Sequence, residues 1–288
     1  MFSSVLENAL LLYTRRFPIQ RGKLRVINSL RYAPSSSAST QRMTTLKYGG
    51  FKMSCDLAEM LQRQFYYFGT YLIEEEIIRC WQSMAKGAKT IFDVGANAGI
   101  YSLAALAVQP DANVHAFEPT PEIAQRLRAT VKLNGLDHLY VHEVAISSKT
   151  GSAILHRFRG ELDANEGMNF ITNRPCSDGE TVHTVCLDQF CDEHSIDNVD
   201  LLKVDIQGHE YAALKGEEQL IRAGRISTIF MELNWAQRSH SICSATESVR
   251  FLKQAHYLFS KPGKRLNWQP AGDWLRTMND VIARRVLS

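Results

Sequence analysis

Apolar residues along this chain fall into short runs that alternate with stretches of helical period. Runs at 90–94, 113–118 and 139–145 read as strands. Between them, apolar positions recur every three or four residues over 99–108 and 121–134, which predicts helices. The alternation resumes with a strand at 201–206, a helix at 209–223, a strand at 226–233 and a helix at 246–256. Two shorter strands, 257–260 and 280–284, close the chain. Such alternation builds a mostly parallel sheet with helices on both faces. Upstream, the aromatic run Phe65-Tyr66-Tyr67-Phe68 leads into a helix over 72–84 that Lys86-Gly87 ends. Between 147 and 200 the pattern breaks. Residues 152–158 and 181–185 look like short β pieces and 159–179 like a loop. More than 50 residues without a convincing helix is long for a connection, so this span reads as a β-rich insertion beside the functional face.

The amino-terminal region has another character. Val5, Leu6, Ala9, Leu10 and Tyr13 recur at helical spacing, followed by a polar linker over 34–41. Nine Lys/Arg and no Asp or Glu occur between Asn8 and Cys55. The remaining 24 basic and 30 acidic residues leave the rest of the chain at about −6. We therefore divide the chain into a basic helical arm and linker, 1–64, and an α/β domain, 65–288. The arm is expected to pack on the body and cover the acceptor side of the site. A lid or a peripheral membrane foot is the sharper alternative. Without repeats or interleaved aromatics, nucleic acid is not the expected partner. Glu7 and the short apolar stretch behind it argue against a secretory signal.

Composition narrows the class only a little further. With 45% hydrophobic and 22% charged residues, the chain lies outside the disordered regime. No run approaches the roughly 20 apolar residues of a membrane-spanning helix. The six cysteines form no Cys-x-x-Cys pair, so neither a zinc ribbon nor a disulfide framework is expected, and a reducing, cytoplasmic setting is.

Three strand ends carry the chemistry. The first runs into Asp93-Val94-Gly95-Ala96-Asn97-Ala98-Gly99, an apolar strand, an acid and a glycine turn opening a helix. Its glycines allow positive φ and close approach of a ligand to the backbone. Helix-terminal amides then face that ligand. The spacing is not the Gly-x-Gly-x-x-Gly that seats a dinucleotide pyrophosphate. Asp93 suits an ammonium nearby, which points to S-adenosylmethionine. The second strand ends in Phe117-Glu118-Pro119, whose carboxylate can accept both hydroxyls of a ribose. The third delivers Lys203-Val204-Asp205-Ile206-Gln207-Gly208-His209-Glu210 to the same edge.

These segments, with Val185-Cys186-Leu187-Asp188-Gln189-Phe190, Leu214-Lys215-Gly216 and Met231-Glu232-Leu233, resemble the FkbM family of S-adenosylmethionine-dependent methyltransferases from about residue 65 to 258. Gln207 stands where many members carry Glu. The resemblance implies a seven-stranded class I (Rossmann-like) methyltransferase fold. It also implies methyl transfer to a hydroxyl of a sugar, glycan or polyketide-type product. The expected cofactor contacts are Asp93, Gly95, Ala96, Asn97, Gly99, Glu118, Pro119, Ala145 and Asp205.

An alcohol is a poor nucleophile, so a base should assist the transfer. Asp205, His209, Glu210 and Glu232 are the candidates at the strand-end rim, and none stands out. His209 reads more readily as a solvent-facing helix residue. His183 and His194 with Asp188, Cys191 and Asp192 match no common tetrahedral metal set, so no metal is assigned. Trp235, Trp268 and Trp274 could stack on a sugar, or simply pack. Oligomerisation is left open. Two other readings stand beside the transferase: a nicotinamide-dependent oxidoreductase, and a cofactor-binding homologue without activity.

Overall fold

The computed structural model describes residues 4–16, 22–30, 40–157, 169–172, 179–233 and 241–286. Two helices, α1 (Ser4–Arg16) and α2 (Lys23–Ser29), precede a hairpin of β1 (Gln41–Thr45) and β2 (Lys52–Asp56). The helices α3 (Met60–Phe68) and α4 (Glu75–Ala85) lead into β3 (Thr90–Val94), α5 (Ile100–Leu106), β4 (Asn113–Phe117), α6 (Pro121–Asn134) and β5 (Leu139–His142). The insertion holds β6 (Ala145–Ile146), β7 (Gly151–His156), β8 (Phe170–Thr172), β9 (Gly179–Val185) and α7 (Leu187–Glu193). Then come β10 (Val199–Val204), α8 (Glu210–Gly216), α9 (Glu218–Ala223), β11 (Ile226–Glu232), α10 (Ser241–Gln254), β12 (Tyr257–Ser260) and β13 (Asp280–Arg285).

Seven strands form one sheet in the order β12-β13-β11-β10-β3-β4-β5. The five from β11 to β5 are parallel, and β13 and β12 add an antiparallel edge. Alternate side chains leave opposite faces of the strands and seed two cores. Ile91 joins Trp81, Leu103 and Leu127 under α4, α5 and α6. Phe92 and Val94 join Phe190, Leu214 and Leu252 under α7, α8 and α10. The seven-stranded, helix-covered sheet is therefore as expected.

The differences are local. The span expected as one strand at 139–145 splits, because β6 leaves the large sheet and pairs with β9 in a second, four-stranded sheet ordered β6-β9-β7-β8. The helix expected over 209–223 breaks at Glu217 into α8 and α9. The insertion does contain a helix: α7 buries Leu187, Phe190 and Cys191. Its Asp188 accepts the backbone N–H of Gln219 and Leu220, capping α9. The β1–β2 hairpin occupies the arm where no strand is expected. Most of the loop expected at 159–179 lies outside the described residues.

The arm shares the first core through Ile27, Leu46, Met53 and Cys55. Buried Glu7 accepts hydrogen bonds from Arg42 Nε (2.7 Å) and the Tyr66 hydroxyl (2.8 Å), and Arg63 Nη1 donates to the Leu30 carbonyl (2.9 Å). Thus α1 and α2 are tied to α3 and the hairpin. Among the described residues, no helix is long and apolar enough to cross a membrane.

An imidazole ladder crosses the second core. His115 on β4 and His142 on β5 stack 5° from parallel and share a hydrogen bond of 3.1 Å, with Phe190 edge-on to both. Burial and the facing imidazole pull His115 down to about 3, and burial with the charge of His194 pulls His142 to about 4. The unfolded chain takes up those protons below about pH 6.5, whereas the fold refuses them. Stability attributable to the pair is therefore lost as pH falls from about 6.5 toward 4. At pH 5 each histidine costs about 2 kcal/mol. Replacing both with Phe should flatten the loss in urea midpoint between pH 7 and pH 5. An unchanged slope in the double variant would refute the account.

Candidate active site

From β3 the chain runs to β4 and β5 on one side and later returns through β10 and β11 on the other. The switch point lies between β3 and β10, and ligands of open α/β sheets bind there, beyond the carboxyl ends of the strands. Three loops leave that edge. After β3, Gly95 takes φ +79° and Asn97 φ 48°. The N–H groups of Gly95 and Ala96 both donate to the Phe117 carbonyl at 3.0 Å. A Cβ on Gly95 would stand 2.0 Å from the Asp205 carbonyl oxygen, so only glycine lets the turn press against the end of β10. Gly99, at φ +81°, opens α5 with Leu127 packed against it.

Glu118, nearly buried after β4, ties two loops together. Its Oε2 accepts the Asn97 N–H at 3.0 Å and its Oε1 the Thr120 N–H at 2.8 Å. Gly95, Asn97, Glu118, Pro119, Asp205 and Gln207 line one cleft, closed by Leu155, Phe170 and Ile206. No described residue of the arm lines it. Asp93 does not line it either. Its carboxylate is fully buried, with Oδ2 accepting both the N–H (3.0 Å) and hydroxyl (2.7 Å) of Ser102. Burial pushes its pKa up, and the positive charge acting on it is the chain's own Lys203.

Beside the cleft lies a network of carboxyl groups around one cation. Lys203 Nζ, nearly buried, donates to Asp205 Oδ2 at 2.8 Å and sits 4.5 Å over the Tyr101 ring. Gln207 Nε2 bridges Asp205 Oδ1 (3.2 Å) and Glu232 Oε2 (2.9 Å). Although burial opposes its charge, the Lys203 ion pair holds Asp205 below the ordinary carboxylate range. Burial and the Asp205 charge push Glu232 far above it, favouring its protonated form. The Tyr101 hydroxyl donates to Glu74 Oε2 at 2.6 Å. Burial raises Glu74 to about 7 and Asp280 to about 6, with Asp205 adding to both.

The FkbM methyltransferase domain matches residues 93–259, more than half of the chain. The chain belongs to the FkbM methyltransferase family. It is 30% identical over 154 residues to the 2-O-methyltransferase NoeI of Sinorhizobium fredii, covering 49% of this chain and 63% of that protein. It is 26% identical over 167 residues to the hexuronic acid methyltransferase AglP of Haloferax volcanii, covering 56% and 62%. The chain thus spans a little under two thirds of the length of these curated relatives. The SAM-dependent methyltransferase of Agrobacterium tumefaciens aligns over 88% of this chain and 72% of its own, at 9% identity and a TM-score of 0.43.

Within this FkbM chain, the expected cofactor residues divide into two groups. Gly95, Asn97, Glu118, Pro119 and Asp205 meet at the cleft. Asp93, Ala96, Gly99 and Ala145 stand behind it. Asp93 anchors the start of α5, and Ala145 is buried in the small sheet beside Leu155. Asp93 faces Ser102 and the internal cation Lys203. Among the expected bases, only Asp205 and Glu232 belong to the carboxyl network. Glu210 accepts the Gly208 (2.9 Å) and Ile206 (3.4 Å) N–H groups and so closes the loop after β10. His209 is half-buried at the N-cap position of α8, makes no side-chain capping bond, and holds its Nε2 2.9 Å from Ser147 Oγ. Trp235 lies outside the described residues. Trp268 stacks under the Arg284 guanidinium, and Trp274 packs on the second core.

Glu74, Tyr101 and Asp280 carry no distinguishing pattern in the sequence, and Gln207 stands out there only by occupying a position where many family members carry Glu. Glu74 hides in Glu74-Glu75-Glu76, which reads as acids favouring a helix start. Asp280 opens the short strand β13, between β12 and β11. Only Lys203, a cation inside an apolar strand, signalled that buried acids lie nearby.

Proposed function

We propose that the chain transfers the methyl group of S-adenosylmethionine to a hydroxyl of a sugar or glycan. The observation that carries this reading is the convergence of the Gly95–Asn97 turn, Glu118 and Asp205 on one cleft at the switch point, within a chain of this family. The donor set suits that ligand. A carboxylate at the end of β4 accepts ribose hydroxyls, the glycine turn admits a ligand to its backbone, and Ile206, Leu155 and Phe170 offer an apolar seat for a base. When bound, S-adenosylmethionine supplies an electrophilic methyl on a cationic sulfur. The chain's part is to hold the acceptor oxygen in line with it and to take up the proton.

Two relatives support the acceptor class. One is named a 2-O-methyltransferase and the other acts on hexuronic acid. The carboxyl-rich flank of the cleft accepts hydroxyl donors well, as a polyhydroxylated acceptor requires. In isothermal calorimetry the protein should bind S-adenosylmethionine and not NAD. Glu118→Ala should weaken that binding about 10- to 100-fold, the worth of one to two hydrogen bonds to a charged acceptor. NAD binding in place of S-adenosylmethionine would overturn the reading.

A further inference from the structure

The carboxyl network reaches the cleft through Asp205 and Gln207, and the hydrogen bonds of its members decide which of them can take a proton from an acceptor. Asp205 is committed to Lys203 at 2.8 Å and to Gln207, and its charge is held so firmly that it is a weak base. Burial and the Asp205 charge favour the protonated form of Glu232, and its Oε2 already accepts from Gln207 at 2.9 Å. Glu210 is turned into the backbone of its own loop, and His209 toward Ser147.

Glu74 is placed differently. It precedes α4 at the turn out of α3, half-buried at the edge of the network. Its Oε2 accepts the Tyr101 hydroxyl at 2.6 Å, and its Oε1 accepts no hydrogen bond among the described residues. Tyr101 is in turn held from both sides: its carbonyl accepts the buried Trp81 Nε1–H at 2.9 Å, and its ring lies under Lys203. One carboxylate oxygen is thus fixed by a rigid donor while the other is available.

Building on the methyltransferase reading, we propose that Glu74 is the general base of the transfer and that Tyr101 positions it. The acceptor oxygen forms a bond to the methyl carbon as the carbon–sulfur bond breaks. The bonding pair passes to sulfur, which becomes a neutral thioether. The hydroxyl proton passes to the Glu74 carboxylate and from there to water. Charge balances, since one cation is consumed and one proton released.

The ionisation of Glu74 fits this task. The groups that face it are Tyr48 and Tyr71 from the preceding segments, Tyr101 from α5, Lys203 from β10, Asp205 just after it, and Asp280 from β13. Burial and the Asp205 charge raise its pKa to about 7, against the Tyr101 hydrogen bond and Lys203, which lower it. A base poised near neutrality combines a useful ionised fraction with real proton affinity. Glu74 also lies outside the matched span 93–259, in a segment that the family domain does not cover.

The first test needs no acceptor. Binding of S-adenosylmethionine at pH 6.5, measured by calorimetry in buffers of different ionisation enthalpy, should release about half a proton, because the sulfonium favours the carboxylate. Glu74→Gln should abolish that release while keeping affinity within threefold, and uncharged S-adenosylhomocysteine should release far less from the wild type. The second test uses methyl glycosides of neutral sugars as acceptors. Glu74→Gln should lose at least about 100-fold in kcat. Tyr101→Phe should move the acidic limb of the kcat profile to higher pH, which a merely structural tyrosine would not do. Unchanged proton release and turnover in Glu74→Gln, or loss of the limb in Asp280→Asn instead, would overturn the assignment alone. A wild-type protein that binds no S-adenosylmethionine would overturn the underlying reading as well.

Discussion

Gly95→Ala is expected to abolish measurable S-adenosylmethionine binding and to destabilise the fold. Two independent costs meet at this position. Its φ of +79° belongs to the left-handed region, where an alanine costs about 1–2 kcal/mol. The added methyl would also stand 2.0 Å from the Asp205 carbonyl oxygen and 3.0 Å from the Ile206 side chain. The first contact is with backbone, so no rotamer change relieves it. Either the turn lifts off β10 or the loop after β10 moves outward. Lifting the turn breaks the paired Gly95 and Ala96 hydrogen bonds to Phe117, and moving the loop displaces Asp205 from Lys203. Both moves deform the cleft wall itself. We expect at least a 100-fold loss of affinity and a drop in unfolding free energy of about 3 kcal/mol or more. Calorimetry and urea denaturation measure the two effects separately. Near-wild-type affinity in this variant would mean that the turn does not shape the cofactor site. By contrast, Gly135, at φ +62° with open space around its would-be Cβ, should give a cost in stability and none in binding.

The contrast between these glycines also explains what could be read from the sequence. Strands β3, β4 and β10 were legible because a parallel strand buried on both faces is a continuous apolar run, and each ended in residues with evident chemistry. The glycine turn and Glu118 followed from those endings. What was not legible depended on contacts between distant segments. Asp93 looks like a ligand residue by position alone. Its internal partners were hidden because Ser102 and Lys203 fold against it from nine residues away on α5 and from a strand more than a hundred residues downstream. Glu74 and Asp280 come from opposite ends of the domain and meet beside β10, where Asp205 perturbs both. The split of the expected strand at 139–145 has the same origin, since β6 is claimed by β9 from forty residues on. Helix α7 was missed because its seven residues span too few turns to show a period.

Lys203→Met should produce the largest stability loss of any single side-chain change considered, and its pH dependence identifies the cause. Lys203 is 4% exposed and is surrounded by Asp93, Asp205 and Glu74. Burial works against its charge, but the attraction of Asp205, Asp93 and Glu74 prevails and holds its pKa above the ordinary lysine value. Methionine keeps the length and apolar packing of the stem while deleting the ammonium, so the variant removes charge with little change in volume. The carboxylates left behind then have no internal counter-ion, and losing one partner of a buried pair costs about 3–5 kcal/mol at neutral pH. They can relieve this by binding protons. Their pKa values in the folded variant rise above those of the unfolded chain, so the fold binds more protons across the range between. Stability then falls as pH rises through that range. The deficit of Lys203→Met relative to wild type should therefore be small near pH 5 and large at pH 8, as read from urea denaturation at the two values. A deficit of equal size at both would mean that the lysine contributes packing rather than charge. The same deletion leaves Asp205 protonated at the edge of the cleft. Weakened S-adenosylmethionine binding that recovers as pH rises, while stability declines, would separate the two consequences of a single buried cation.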